Sequence, residues 1–234
     1  MRKKDKLVDG IDPDADLHQA IVDGDAAAVA RLVAGGRSVS ARFSLEEDSA
    51  LLANLRPQAR EFLDYRYLYN ITPLHLAAIA GRAEIAELLI ASGASVKDKG
   101  GKIGPGREPP HYYPIHYAAR ANAVDVAQVL LAHGAAIDDQ TECGRRPLHD
   151  ACVTGSHEMI RFLVLAGAAW RVSTIVPEQT PFYLCGSEEN RKVLMDAIRE
   201  RREIRAQCAA QKEQAKWRKK HRALGRLRPE VPSL

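Results

Sequence analysis

At 234 residues, 46% of them apolar, the chain has ample material for one continuous core, and no apolar run approaches the roughly 20 residues of a membrane span. Its formal net charge of +4 is unevenly spread: residues 199–228 carry twelve Lys or Arg against three Glu, whereas the remainder sums to −5. The charged start, Met1 to Lys6, runs into Asp9, Asp12 and Asp14 where a secretory leader needs an apolar stretch, so export by that route is not expected.

Residues 1–14 read as a polar tail. A first unit follows over 15–41, opening on Ala15-Asp16-Leu17-His18 and punctuated by Gly24 and Gly35-Gly36. Residues 42–69 are an insertion. In it Ser44-Leu45-Glu46-Glu47 predicts the cap of a short helix through Leu55, and Pro57 starts a second helical stretch with Phe62, Leu63 and Tyr65. A tetrapeptide of one shape then recurs: Thr72-Pro73-Leu74-His75, Tyr113-Pro114-Ile115-His116, Arg146-Pro147-Leu148-His149 and, worn, Thr180-Pro181-Phe182-Tyr183. The intervals of 41, 33 and 34 residues mark a stacked array, with units at 70–97, 111–138, 144–171 and 178–198. Residues 98–110 form a second, Gly- and Pro-rich insertion.

Within each unit the signals agree. Thr72 is placed to cap a first helix through its hydroxyl, and Pro73 sits at the first turn, where its missing N–H costs nothing. Six residues after each His comes a residue that tolerates a left-handed backbone, Gly81, Asn122 or Gly155. Twelve residues further on stands a Gly-Ala pair, Gly93-Ala94, Gly134-Ala135 or Gly167-Ala168. Between them Ile85, Leu88 and Leu89 recur at helical spacing. These residues resemble the ankyrin repeat family over roughly residues 15–198, about five repeats. The resemblance implies an all-α solenoid of stacked helix-turn-helix units with loop or hairpin fingers. The first and last units read as caps, the last because a charged run, Ser187 to Arg191, stands where a neighbour would dock. Tyr113 and Arg146 replace the usual Thr, each predicting a lost cap of about 1 kcal/mol and less regular third and fourth units.

Chemistry is harder to find than architecture. His18, His75, His116 and His149 stack at repeat spacing, but in this family that His is a structural hydrogen-bonding residue, and successive repeats hold it too far apart for one zinc shell. The Gly100 to Gly106 run lacks the following helix of a phosphate loop, because Pro105, Pro109 and Pro110 forbid it. Cys143, Cys152, Cys185 and Cys208 show no Cys-x-x-Cys spacing, and Cys152 and Cys185 stand on first helices in place of small residues. They read as buried, reduced thiols, which points to the cytoplasm, or the nucleus in a eukaryote. No enzyme activity, cofactor, metal or small-molecule substrate is expected.

What the resemblance implies instead is a protein partner held on the concave face and loop tips. The family's contact offsets fall on Ile71, Tyr112, Arg145 and Gln179 before each tetrapeptide, and on Ile79-Ala80, Arg120-Ala121 and Val153-Thr154 before each inter-helix turn. The candidate contacts are Tyr67, Ile79, Tyr112, Arg120, Arg145, Val153 and Thr154, with aromatic and Arg residues as the expected anchors. Tyr65, Tyr67, Tyr69 and Tyr112 are expected to share a tyrosine-rich patch of loop tips. Residues 199–234 read as a solvated basic helix. Its cluster, with Arg218, Lys219, Lys220 and Arg222 as anion-binding candidates, suits nucleic acid, an acidic surface or an import signal. Trp217, Leu224 and Leu227 also permit a calmodulin-like or membrane-surface mode.

Overall fold

The computed structural model describes residues 14–46, 55, 67–100, 102–103, 111–175 and 179–223. Helices come in pairs along the chain: α1 Ala15–Asp23 with α2 Ala26–Ala34, α3 Pro73–Ala80 with α4 Ala83–Ala91, α5 Pro114–Arg120 with α6 Val124–Ala132, and α7 Pro147–Thr154 with α8 His157–Ala166. The fifth pair is a short α9, Pro181–Leu184, and a 36-residue α10, Glu188–Ala223. First helices pack in one row, α1 on α3 on α5 on α7 on α9, and second helices in another, α2 on α4 on α6 on α8 on α10. The result is a two-layered stack in which each unit touches its neighbours.

The turn chemistry does what the spacing predicts. Gly81 and Gly155 take φ of 66° and 69° between the paired helices, and Asn122 takes the same place at φ 52°. Large apolar residues of both rows, among them Leu17, Leu74, Leu89, Ile115, Leu130, Leu148 and Leu163, have no exposed surface. Each such side chain contributes about 1.5–3 kcal/mol of burial. On α3 in the first row, Leu74, Ala77 and Ala78 are fully buried, and alanines let neighbouring helix backbones approach.

One departure concerns the first insertion. Phe43–Glu46 is a strand, β1, rather than the start of a helix: it pairs antiparallel with β2, Tyr67–Ile71, with Phe43 opposite Ile71 and Glu46 opposite Tyr67. β2 in turn pairs with β3, Lys102–Ile103. Ser44 therefore has no helix to cap; its hydroxyl oxygen accepts from the Asn70 N–H at 3.5 Å across the ladder. The helical stretch expected after Pro57, and the remainder of the helix expected through Leu55, lie outside the described residues, apart from Leu55 itself. That side chain is 5% exposed and belongs to the core cluster.

A second departure concerns the caps. The Thr72 hydroxyl does not cap α3; it lies 2.8 Å from His75 Nδ1, which also accepts from the Thr72 N–H at 3.2 Å. His116 and His149 reach back in the same way to the N–H groups of Tyr113 (3.3 Å) and Arg146 (3.1 Å). The histidine needs only a backbone N–H at that place, so replacing Thr by Tyr or Arg loses no such contact. The third and fourth first helices, seven and eight residues long, are as regular as the eight-residue α3. Among the four tetrapeptides it is Thr180, whose unit has Tyr183 in place of His, that caps with its own oxygen, accepting from the Tyr183 N–H at 3.3 Å.

Candidate functional site

The same imidazoles connect the units. A backbone carbonyl only accepts, so Nε2 must be the donor on each ring. His75 gives its proton to the Tyr112 carbonyl at 3.2 Å, His116 to that of Arg145 at 3.3 Å, and His149 to that of Val172 at 3.0 Å. With Nδ1 accepting and Nε2 donating, each ring is neutral. Burial pushes all three below the ordinary histidine value, His75 to about 4. Gly100 makes room for the first of these rings: a Cβ there would sit 2.7 Å from the Asn70 carbonyl oxygen and 2.8 Å from His75 Cε1. Among the described residues no group of three His, Cys, Asp or Glu side chains is placed to hold a metal.

Between the third and fourth units lies a buried charge cluster that sequence reasoning passed over. Asp150, fully buried, accepts at Oδ1 from Arg145 Nη2 (2.8 Å), Arg145 Nε (3.2 Å) and Arg120 Nη1 (3.4 Å), while its Oδ2 has no partner. Burial works to lower the Arg145 guanidinium, but the Asp150 carboxylate and Tyr112 together outweigh it and hold Arg145 above its ordinary value. The Arg120 guanidinium also stands 5.9 Å from the Tyr112 ring. The available signal was an acid one residue after the tetrapeptide, where earlier units have Leu76 and Tyr117, with Arg145 just ahead of it.

This geometry revises the contact candidates. Ile79, Tyr112 and Arg120 are interior, at 2%, 6% and 8% exposure, and so are not free anchors. Tyr112 is pinned by a backbone bridge to Gly100 and packs its ring against His116 and Tyr117, with centroids 5.6 Å and 5.8 Å apart. It is therefore not an exposed loop tip. Tyr65 and the side chains of Tyr67 and Tyr69, the rest of the expected patch, lie outside the described residues. Val153 is open at 47% exposure, Thr154 is half-buried with its hydroxyl on the Asp150 and Ala151 carbonyls, and Arg145 shows 21% of its side chain. Exposed apolar surface continues on Ile175, Phe182 and Tyr183, which sequence reasoning had not singled out. The finger tips carry a charge cluster of their own, in which Glu142 lies 3.6 Å from Lys99 and 3.4 Å from His111.

Residues 69–100 match the family model of the ankyrin repeat, and residues 101–174 match the one described as ankyrin repeats in three copies. Residues 69–174 are ankyrin repeats. The helix pairs, left-handed turns and histidine-to-carbonyl contacts of α3 to α8 are thus the ankyrin units. No curated protein matches the chain. No helix among the described residues is long and apolar enough to cross a membrane.

The cysteines divide in two. Cys152 on α7 and Cys185 after α9 are buried, and the Cys152 thiol is pushed up by its hydrogen bond to Cys185 and by burial. Cys143 and Cys208 are exposed, against the expectation of burial. Arg218 and Lys219 stand exposed on α10, whereas the side chains of Lys220 and Arg222 lie outside the described residues.

Proposed function

We propose that the protein is a non-catalytic ankyrin scaffold that holds another protein on the inner-row surface of its later repeats, assisted by the charge of α10. The observation that supports this is a gradient at one repeat offset: Ile79 and Arg120 are 2% and 8% exposed, and Val153 at the same place is 47% exposed. The first two positions are spent on packing, whereas the fourth unit presents a β-branched apolar side chain to solvent, beside Thr154 and the accessible part of Arg145. An apolar centre rimmed by polar groups is the usual composition of a recognition patch.

Affinity capture with full-length protein, Val153→Asp and, as a control on the opposite helix row, Met195→Gln tests this reading. Val153 and Met195 are both open to solvent, so neither change disturbs the core. Capture of the partner is expected to fall about tenfold or more for Val153→Asp, the size of an interface anchor, and to hold for Met195→Gln. Equal capture by both variants overturns it.

A further inference from the structure

The part of α10 past the array has a polarity that only its helical continuity creates. Arg201 is the last anchor, donating to the Gly167 and Ala168 carbonyls at 2.9 and 3.0 Å, and every residue from Arg202 to Lys219 is exposed. At 3.6 residues per turn, Arg202, Arg205, Lys212, Lys216 and Lys219 fall within a sector of about 100° and extend over roughly 25 Å. Glu200 and Glu203 fall on the opposite side, as does Arg218. Arg199 also points away from the stripe. Among the described residues Arg202, Arg205, Lys212 and Lys219 have no ion pair; Lys216 lies 2.9 Å from Glu213. Like charges also crowd at helical spacing, Arg201 with Arg205 and Lys212 with Lys216, an arrangement that weakens a helix unless a counter-charge lies along it. Burial lowers Arg201, and the neighbouring Arg205 lowers it further.

Other occupants fit less well. A lipid surface needs a continuous apolar face, but the large apolar residues of this stretch, Ile204 and Trp217, are thirteen positions apart and on different sides of the helix. A second helix needs an apolar seam, and the stripe positions here are cationic. A row of cations one to two helical turns apart matches a row of phosphates. The 10–12 Å diameter of an α-helix fits the roughly 12 Å major groove of B-form DNA, whereas the corresponding groove of duplex RNA is narrow.

We propose that α10 from Arg202 to Lys219 is a DNA-docking helix that lies along the duplex and grips its phosphates through this stripe without reading sequence. The inference does not depend on the protein-partner reading, whose contact surface centres on Val153 and to which the charge of α10 is only an assistance.

The test is fluorescence anisotropy of a labelled 24-base-pair DNA duplex with the full chain, repeated with a duplex RNA of the same sequence and with phosphatidylserine vesicles. Five phosphate contacts predict an affinity loss of about 10²–10³ between 50 and 200 mM salt. Arg205→Glu with Lys212→Glu is expected to weaken DNA binding at least tenfold more than the charge-matched Arg199→Glu with Arg218→Glu. Far-UV helicity and the melting temperature of both double variants show that the fold is intact. Equal losses in the two double variants, absence of DNA binding, or equal or tighter binding of the RNA duplex or the vesicles overturns the proposal.

Discussion

Protonating His75 would place a second proton at Nδ1, against the Thr72 N–H and hydroxyl that it contacts. The folded ring resists this, with a value of about 4, whereas an unfolded histidine titrates near 6.5. Between those values the unfolded chain binds more protons than the folded one. The contribution of His75 is therefore complete above about pH 6.5 and falls as pH drops toward 4, by roughly 1.4 kcal/mol per pH unit; the lowered His116 and His149 act in the same direction. Denaturant midpoints at pH 7.5, 6 and 5 measure the slope, and His75→Gln should flatten it by one histidine's share; a level profile in the parent protein would refute the neutral ladder. Asn122 supplies a second prediction at this scale. It holds a left-handed φ of 52°, and its buried Oδ1 has no partner. Asn122→Gly removes both costs, and the flexibility that glycine adds to the unfolded chain offsets only part of the gain, so a rise of about 1 kcal/mol is expected by thermal melting.

Individual helices show what the sequence makes legible and where it stops. Pro73, Pro114 and Pro147 and the left-handed residues eight positions later mark the first helices because both act through their own backbone. The capping partner was not legible, because a hydroxyl and an imidazole three residues apart both suit the N-cap and only coordinates show which reaches back. Strand β1 was missed for a related reason: Ser-x-x-Glu suits a helix start locally, and pairing with β2, more than twenty residues away, decides otherwise. Among the contact candidates, Val153 is exposed, whereas Tyr112 and Arg120 are hidden by partners in neighbouring elements that no offset rule encodes. Asp150→Ala is the test of that packing. It leaves two guanidinium groups without their carboxylate and should cost about 3–5 kcal/mol, read from the denaturant midpoint. The thiols report on the same elements: a thiol reagent should label Cys143 and Cys208 in the native protein at once, and Cys152 and Cys185 only on unfolding.

Across the whole molecule, protection should grade from the packed pairs to the exposed stretch of α10. Amides of α5 and α7 lie among fully buried neighbours, whereas those from Arg202 to Lys219 belong to exposed residues. Hydrogen exchange is expected to be fastest over 205–220, slower by several orders of magnitude in α5 and α7, and unequal on this pattern at neutral pH. Slow exchange through the distal helix would show that a part of the molecule covers it. The global stack was legible because it repeats, so an error at one unit is corrected by the next. The insertions and the outer helix occur once, and their arrangement depends on contacts rather than on periodicity.

The distal part of α10 is a lever that leaves the array at Arg201. Its 22 residues to Ala223 extend about 33 Å, so a tilt of 10° in the last pair moves the tip by roughly 6 Å. Any small bending of the stack at the later units would thus be magnified into a displacement as large as a helical turn, at a point far from where the force is applied.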